Sequence, residues 1–68
     1  MKISARNVLK GKIVDVTKGA TTAHVKIDIG GSMVTSSITN AAVDELKLAP
    51  GKEAYAVIKA SDVMIGID

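Results

Sequence analysis

Few of the 68 residues could do covalent chemistry. There is one His, His24, and no Cys, so one chain can build neither a Cys–His nucleophile pair nor a two-His metal site. His24 falls on the polar side of an alternating run, a solvated position. The carboxylates of Asp15, Asp28, Asp44, Glu45 and Glu53 fall on polar faces or at a helix start, and no two are spaced as an acid–base pair. No glycine-rich loop has phosphate-cradling spacing, and Gly30-Gly31 reads as a turn. An enzyme is not expected. What remains is a set of hydrogen-bond donors. Ser4 and Arg6 stand two apart and project to one side of an extended segment, and Lys59 and Ser61 repeat that spacing. Thr39 and the amides after it sit at a helix start, where unpaired N–H groups and the helix dipole favour an anion. No acidic residue lies within Ser4–Asn7 or Lys59–Ser61. Brought together, these groups suit a fully deprotonated tetrahedral dianion, which only accepts hydrogen bonds, better than a protonated phosphate, which also donates one. Taken singly, Arg6 and Lys59 each read better as a snorkelling or rim charge. Lys59 stands out because it interrupts the apolar run Ala54–Ala60 on the face shared by Tyr55 and Val57, where a buried lysine needs an anionic partner.

The elements that must position these groups are mostly strands. Eight Val, eight Ile and five Thr make 21 β-branched residues, a sheet-forming composition. Lys12–Lys18 alternates, with Val14 and Val16 on one face and Asp15 and Thr17 on the other. In the next run Ala23, Val25, Ile27 and Ile29 oppose Thr22, His24, Lys26 and Asp28. Gly30-Gly31 turns the chain into a return strand, Met33–Ile38. The period then changes: Thr39 or Asn40 caps a short helix with Val43 and Leu46 on its apolar side and Asp44 and Glu45 near its start. Pro50-Gly51 closes that unit. Glu53–Ala60 is a strand apolar on both faces, and Val63–Ile67 a last short one. With a strand at Ile3–Ala5, the order predicts a mainly β, OB-like five-stranded barrel with one short helix between strands three and four. Residues 1–68 read as one domain.

Composition narrows the function further. The chain is 47% hydrophobic and 24% charged, which is globular material. No apolar stretch approaches a membrane span and Met1-Lys2-Ile3-Ser4 opens no signal-peptide core, so neither membrane nor export is expected, and the reducing cytoplasm is the default. The formal charge of +2 comes from scattered lysines. With Tyr55 the sole aromatic, nucleic acid is a poor fit, because single strands bind on stacking platforms; a nucleic-acid-binding OB module is the alternative reading. Apolar residues on both faces of Glu53–Ile67 exceed what so small a chain can cover and point to an oligomer.

Ser4-Ala5-Arg6-Asn7, Leu9-Lys10-Gly11-Lys12, Ile38-Thr39, the helix Ala42-Val43-x-x-Leu46 and Ala56-Val57-Ile58-Lys59-Ala60-Ser61-Asp62-Val63-Met64 together resemble the Mop, or molbindin, pattern. The likeness covers essentially the whole chain. It implies an OB-like barrel, intracellular binding and storage of molybdate or tungstate, and a hexamer built as a trimer of dimers with oxyanions held between subunits. Carried over by position, the main pocket would use Ser4, Ala5 and Arg6 of one subunit and Thr39, Lys59, Ala60 and Ser61 of another, with no side chain ligating a metal directly. Asn7 belongs to the motif as a turn residue. A second oxyanion site near a three-fold axis would draw on Lys18 and the loop Gly19-Ala20-Thr21-Thr22. Two positions depart from the pattern: Ala42 stands where many relatives have Ser, which removes a hydroxyl donor, and Thr39 where some have Ser. Binding of single-stranded oligonucleotides is expected to be weak and abolished by ~0.2 M salt; fluorescence anisotropy across a salt series checks this.

Overall fold

The computed structural model describes residues 1–68. It contains strands β1 (Asn7–Lys18), β2 (Thr22–Asp28) and β3 (Met33–Thr39), helix α1 (Asn40–Leu46), strand β4 (Glu53–Ile58) and a 3₁₀ turn, Ala60–Asp62. All strand pairs are antiparallel, in the order β3-β2-β1-β4. The fold is mainly β, a curled half-barrel whose helix lies between the third and fourth strands, as the sequence implies.

β1 starts five residues earlier than its alternation suggests, because it serves two ladders. Its first half pairs with β4, from Asn7↔Ile58 to Lys12↔Glu53, and its second half with β2, from Lys12↔Asp28 to Lys18↔Ala23. Two local devices let one strand do both. At Gly11 the backbone of β2 comes so close that an added Cβ would lie 2.4 Å from the carbonyl oxygen of Asp28. Between Ile13 and Asp15 the register slips by one, a β-bulge at Val14. The extra residue increases local twist and resets the alternation. Ile13 and Val16 therefore face inward, while Val14 is 42% exposed; the expectation that Val14 and Val16 share a face is corrected. The turn at Pro50-Gly51 docks on the bulge, with the Gly51 N–H donating to the Ile13 carbonyl and the Ile13 N–H to the Lys52 carbonyl.

The core is Ile13, Ala23, Val25, Ile27, Val43 and Ala56. The β2 alternation supplies three of the six. α1 contributes Val43 alone, since Leu46 is exposed and Leu48, just past the left-handed Lys47, packs in its place. Asp44 and Glu45 lie past the first turn of α1, so the dipole argument for them does not hold; Asp44 pairs instead with Lys18.

The barrel has four strands, not five. Ile3–Ala5 and Val63–Ile67 form no strand, and β4 ends at Ile58 where the chain turns into the 3₁₀ segment. β3 and β4 are the free edges, and between them opens an apolar cleft of about 450 Å³, lined in part by Ile13, Ile38, Leu48 and Val57. Met64, Ile65 and Ile67 are 88–95% exposed: a segment with strand-like composition and no strand beside it within the chain has nowhere to place its ladder hydrogen bonds.

At the β2–β3 turn, Gly30 and Gly31 take φ near +100°, a region glycine alone enters freely. Their N–H groups donate to Asp28 Oδ1 at 2.9 and 3.2 Å, and these two bonds hold the Asp28 carboxyl below its ordinary value of 3.8. A depressed folded-state pKa means the stabilisation is present above the ordinary value and is lost as pH falls through the folded one. Asp28→Ala is thus expected to lower Tm at neutral pH, with the gap to wild type closing in strong acid; thermal melts from pH 7 downward test it. Gly11→Ala is expected to cost at least about 2 kcal/mol, a Tm loss of roughly 10 °C or more in so small a domain, by circular dichroism.

Candidate oxyanion site

The β1–β4 ladder ends at the rung Asn7↔Ile58, and both donor segments begin there. Arg6 back to Ser4 leaves from one side of the rung, and Lys59 on to Ser61 from the other. Continuing the register puts Arg6 opposite Lys59, at a spacing of about 5 Å between backbones. Asn7 adds a bond of its own, Nδ2 donating to the Ile58 carbonyl at 3.2 Å. It fastens the two segments together.

This corner gathers positive charge and unused donors. The ion pairs of the chain are Lys10–Glu53 and Lys18–Asp44, so neither Arg6 nor Lys59 has an acidic partner. Both are exposed, as are Ser4 and Ser61, with Ala5 half-buried. Lys59 is extended (φ −60°, ψ 140°) and leads into the 3₁₀ turn, which closes with the Asp62 N–H on the Lys59 carbonyl. That geometry leaves the N–H groups of Ala60 and Ser61 without backbone acceptors. Two neighbouring cations with free amides beside them repel one another until an anion sits between them.

Thr39 lies elsewhere. It pairs with Thr22 at the last β2–β3 rung, at the end of the half-barrel where β1 finishes. The far end of β3, Met33, lies about 20 Å away along the strand, and the β4 residues near Ile58 face Val34 across the cleft. One chain therefore joins Ser4–Arg6 to Lys59–Ser61 and leaves Thr39 at the opposite end. The family resemblance instead groups Lys59, Ala60 and Ser61 with Thr39 on one subunit and Ser4, Ala5 and Arg6 on the other. Gly19, Ala20, Thr21 and Thr22 sit at Thr39's end, in the β1–β2 turn.

Thr39 is the N-cap of α1, its Oγ1 accepting from the Ala42 N–H at 3.0 Å. With that lone pair engaged, the hydroxyl proton is free to point outward as a donor. Ala42, lacking a hydroxyl, contributes only this amide. His24 is exposed on the outer face of β2 beside Lys26, and no group of His or carboxylate side chains is arranged to hold a metal ion.

Residues 3–65 match the TOBE domain. A chain of Haemophilus influenzae, named as a probable molybdenum-pterin-binding protein, is 59% identical over 69 residues that span all of both chains. This protein is a member of the molybdenum-pterin-binding, or Mop, family. A solved molybdate-binding protein from Sporomusa ovata superposes with a TM-score of 0.93 at 33% identity, over 98% of this chain and 100% of its own. The cytoplasmic molybdate-binding protein ModG, solved with molybdate bound, superposes at 0.94 with 43% identity, this chain covering 49% of its length. The OB-like Mop fold is thus shared along the whole chain. Members of the family are named for binding, not for catalysis.

Two residues matter to this Mop chain more than their sequence context suggests. Gly11 reads as part of a motif and acts as the point where two ladders meet. Asn40 reads as an alternative cap, whereas its side chain bonds to Gly19, 21 residues earlier. A Thr-Asn pair at a strand–helix junction is the only local sign of it, since the partner is a backbone carbonyl that any residue could supply.

Proposed function

We propose that this protein binds molybdate, or tungstate, as the free tetrahedral dianion at sites shared between copies of itself, and stores or buffers it in the cytoplasm. The observation that carries the reading is the Asn7↔Ile58 rung, with unpaired Arg6 and Lys59 on its two sides and free amides at Ala60 and Ser61. Ser4, Ala5, Arg6, Lys59, Ala60 and Ser61 form one half of the pocket. Thr39, at the other end of the half-barrel, completes it from a neighbouring copy. Oligomerisation and binding are then one event. The names of the relatives and the molybdate bound in ModG support the choice of anion. A bare oxyanion fits better than a pterin conjugate, because a pterin ring needs a flat partner and Tyr55, the sole aromatic, pairs with Lys10 three residues inside β4. The turn Gly19–Thr22 is the proposed second oxyanion site.

The oligomer is proposed as a hexamer, a trimer of dimers. Only six residues are buried within the chain, while Val8, Tyr55 and Val57 cluster exposed on neighbouring strands and Met64, Ile65 and Ile67 are bare. So much exposed apolar surface calls for cover by a partner. Sedimentation at micromolar concentration is expected to give a species several times 7.0 kDa; a stable monomer would sink the shared-site reading.

Isothermal titration with molybdate, tungstate, sulfate and phosphate tests the ligand class. Arg6→Ala and Lys59→Ala each remove a charge-assisted hydrogen bond, about 1.5–3 kcal/mol, and are expected to weaken molybdate binding roughly ten- to a hundredfold. Both should fold, because removing one of two adjacent cations relieves repulsion in the empty site. Molybdate should also raise Tm by mass action, less so in either variant. Unchanged affinity in Lys59→Ala would reduce that lysine to a rim charge and overturn the pocket.

A further inference from the structure

We propose that Asn40 is a positioning residue for Thr39: it clasps the β1–β2 turn to the start of α1 and so fixes where the Thr39 hydroxyl points. The proposal rests on the oxyanion-binding reading above. Thr39 stands at a corner where a strand becomes a helix, and its own ladder partner, Thr22, is the first residue of β2, at the end rung of the ladder. Nothing beyond that rung would hold the corner by strand pairing. Asn40 supplies the missing ties. Its backbone N–H donates to the Thr21 carbonyl at 2.8 Å, and its Nδ2 donates to the Gly19 carbonyl at 3.0 Å. The turn it grips is itself closed by the Gly19 N–H on the Thr22 carbonyl at 2.8 Å. The Lys18–Asp44 pair runs alongside, from the end of β1 to the second turn of α1, but both of its side chains are largely exposed, and such pairs hold geometry weakly.

One feature points to this bond in particular. Asn40 Oδ1 is buried with no donor, an uncommon and unfavourable state for a native acceptor, and it accompanies the Nδ2–Gly19 bond. Its effect is transmitted through one peptide unit: with Asn40 pinned, the Thr39 backbone is fixed and the Ala42 N–H holds Oγ1, so the hydroxyl proton is left a narrow outward arc. A donor preset in this way binds an anion without first being ordered.

The test uses the full chain with Asn40→Ala, Asn40→Asp and Asn40→Leu, with wild type and Lys59→Ala as references. Molybdate affinity is measured by titration well below every variant's Tm, so that all are fully folded, and oligomer size is checked by sedimentation. Asn40→Ala is expected to weaken molybdate binding about three- to tenfold with oligomer size unchanged. Asn40→Asp keeps the side-chain shape, loses the donor and sets a carboxylate against the Gly19 carbonyl, so its loss should be larger, part of it from the added negative charge. Asn40→Leu keeps the shape and loses the donor without adding charge; it should match Asn40→Ala and decides the matter should either of the others fail to fold. Wild-type affinity in Asn40→Ala and Asn40→Leu, with only a lowered Tm, would overturn the proposal and leave Asn40 a structural clasp. If wild type binds molybdate and Lys59→Ala weakens it, that failure belongs to Asn40 alone; if wild type does not bind, the oxyanion reading itself has failed.

Discussion

The double duty of β1 is the constraint on which the rest of the molecule depends. A single strand is hydrogen-bonded to β4 along one half and to β2 along the other, and where β2 crosses closest only a residue without a Cβ fits. Gly11 is that residue, against the Asp28 carbonyl. The bulge at Val14 then resets the alternation so that Ile13 and Val16 both turn inward. Every later feature inherits its position from these few residues: the docking of the Pro50-Gly51 turn, the inward face of β2, and the rung at which the β1–β4 ladder stops.

That rung sets the chemistry. Where ladder pairing ends at Asn7↔Ile58, the backbone groups beyond it lose their partners, and the chain places two cations and a 3₁₀ turn there, whose one carboxylate, Asp62, forms no ion pair with either cation. The corner is electrostatically incomplete by itself. Thr39, by contrast, is held at the far end of the half-barrel with its acceptor engaged and its proton free. The two groups of donors, at the Asn7↔Ile58 rung and at Thr39, are thus kept apart by the length of a strand.

The same incompleteness runs through the packing. A core of six residues, an open cleft between β3 and β4, and a C-terminal segment rich in exposed Met and Ile leave much of the apolar surface uncovered. A chain this short cannot enclose a barrel's worth of side chains alone. The uncovered apolar surface and the unpaired donors thus occur in the same small chain.

Much of this was legible in the residues. The strict alternation of Ala23–Ile29 marked β2 and half of the core, Gly30-Gly31 marked its turn, and the change of period after Thr39 marked the helix, because side-chain periodicity and positive-φ tolerance are local properties. The donors Ser4, Arg6, Thr39, Lys59 and Ser61 could be named from their types and spacing. Which of them meet could not. That depended on the β1–β4 register, on a close approach at Gly11 and on a bulge at Val14, all set by partners distant in sequence. Leu46 was misplaced for the same reason: its spacing from Val43 fits a helical face, but a helix of seven residues that ends on a left-handed Lys47 turns Leu48 inward in its stead. The fifth strand failed on a similar ground. Composition can make Val63–Ile67 eligible for a sheet, but a strand exists only where another backbone lies alongside to take its hydrogen bonds, and within one chain none does.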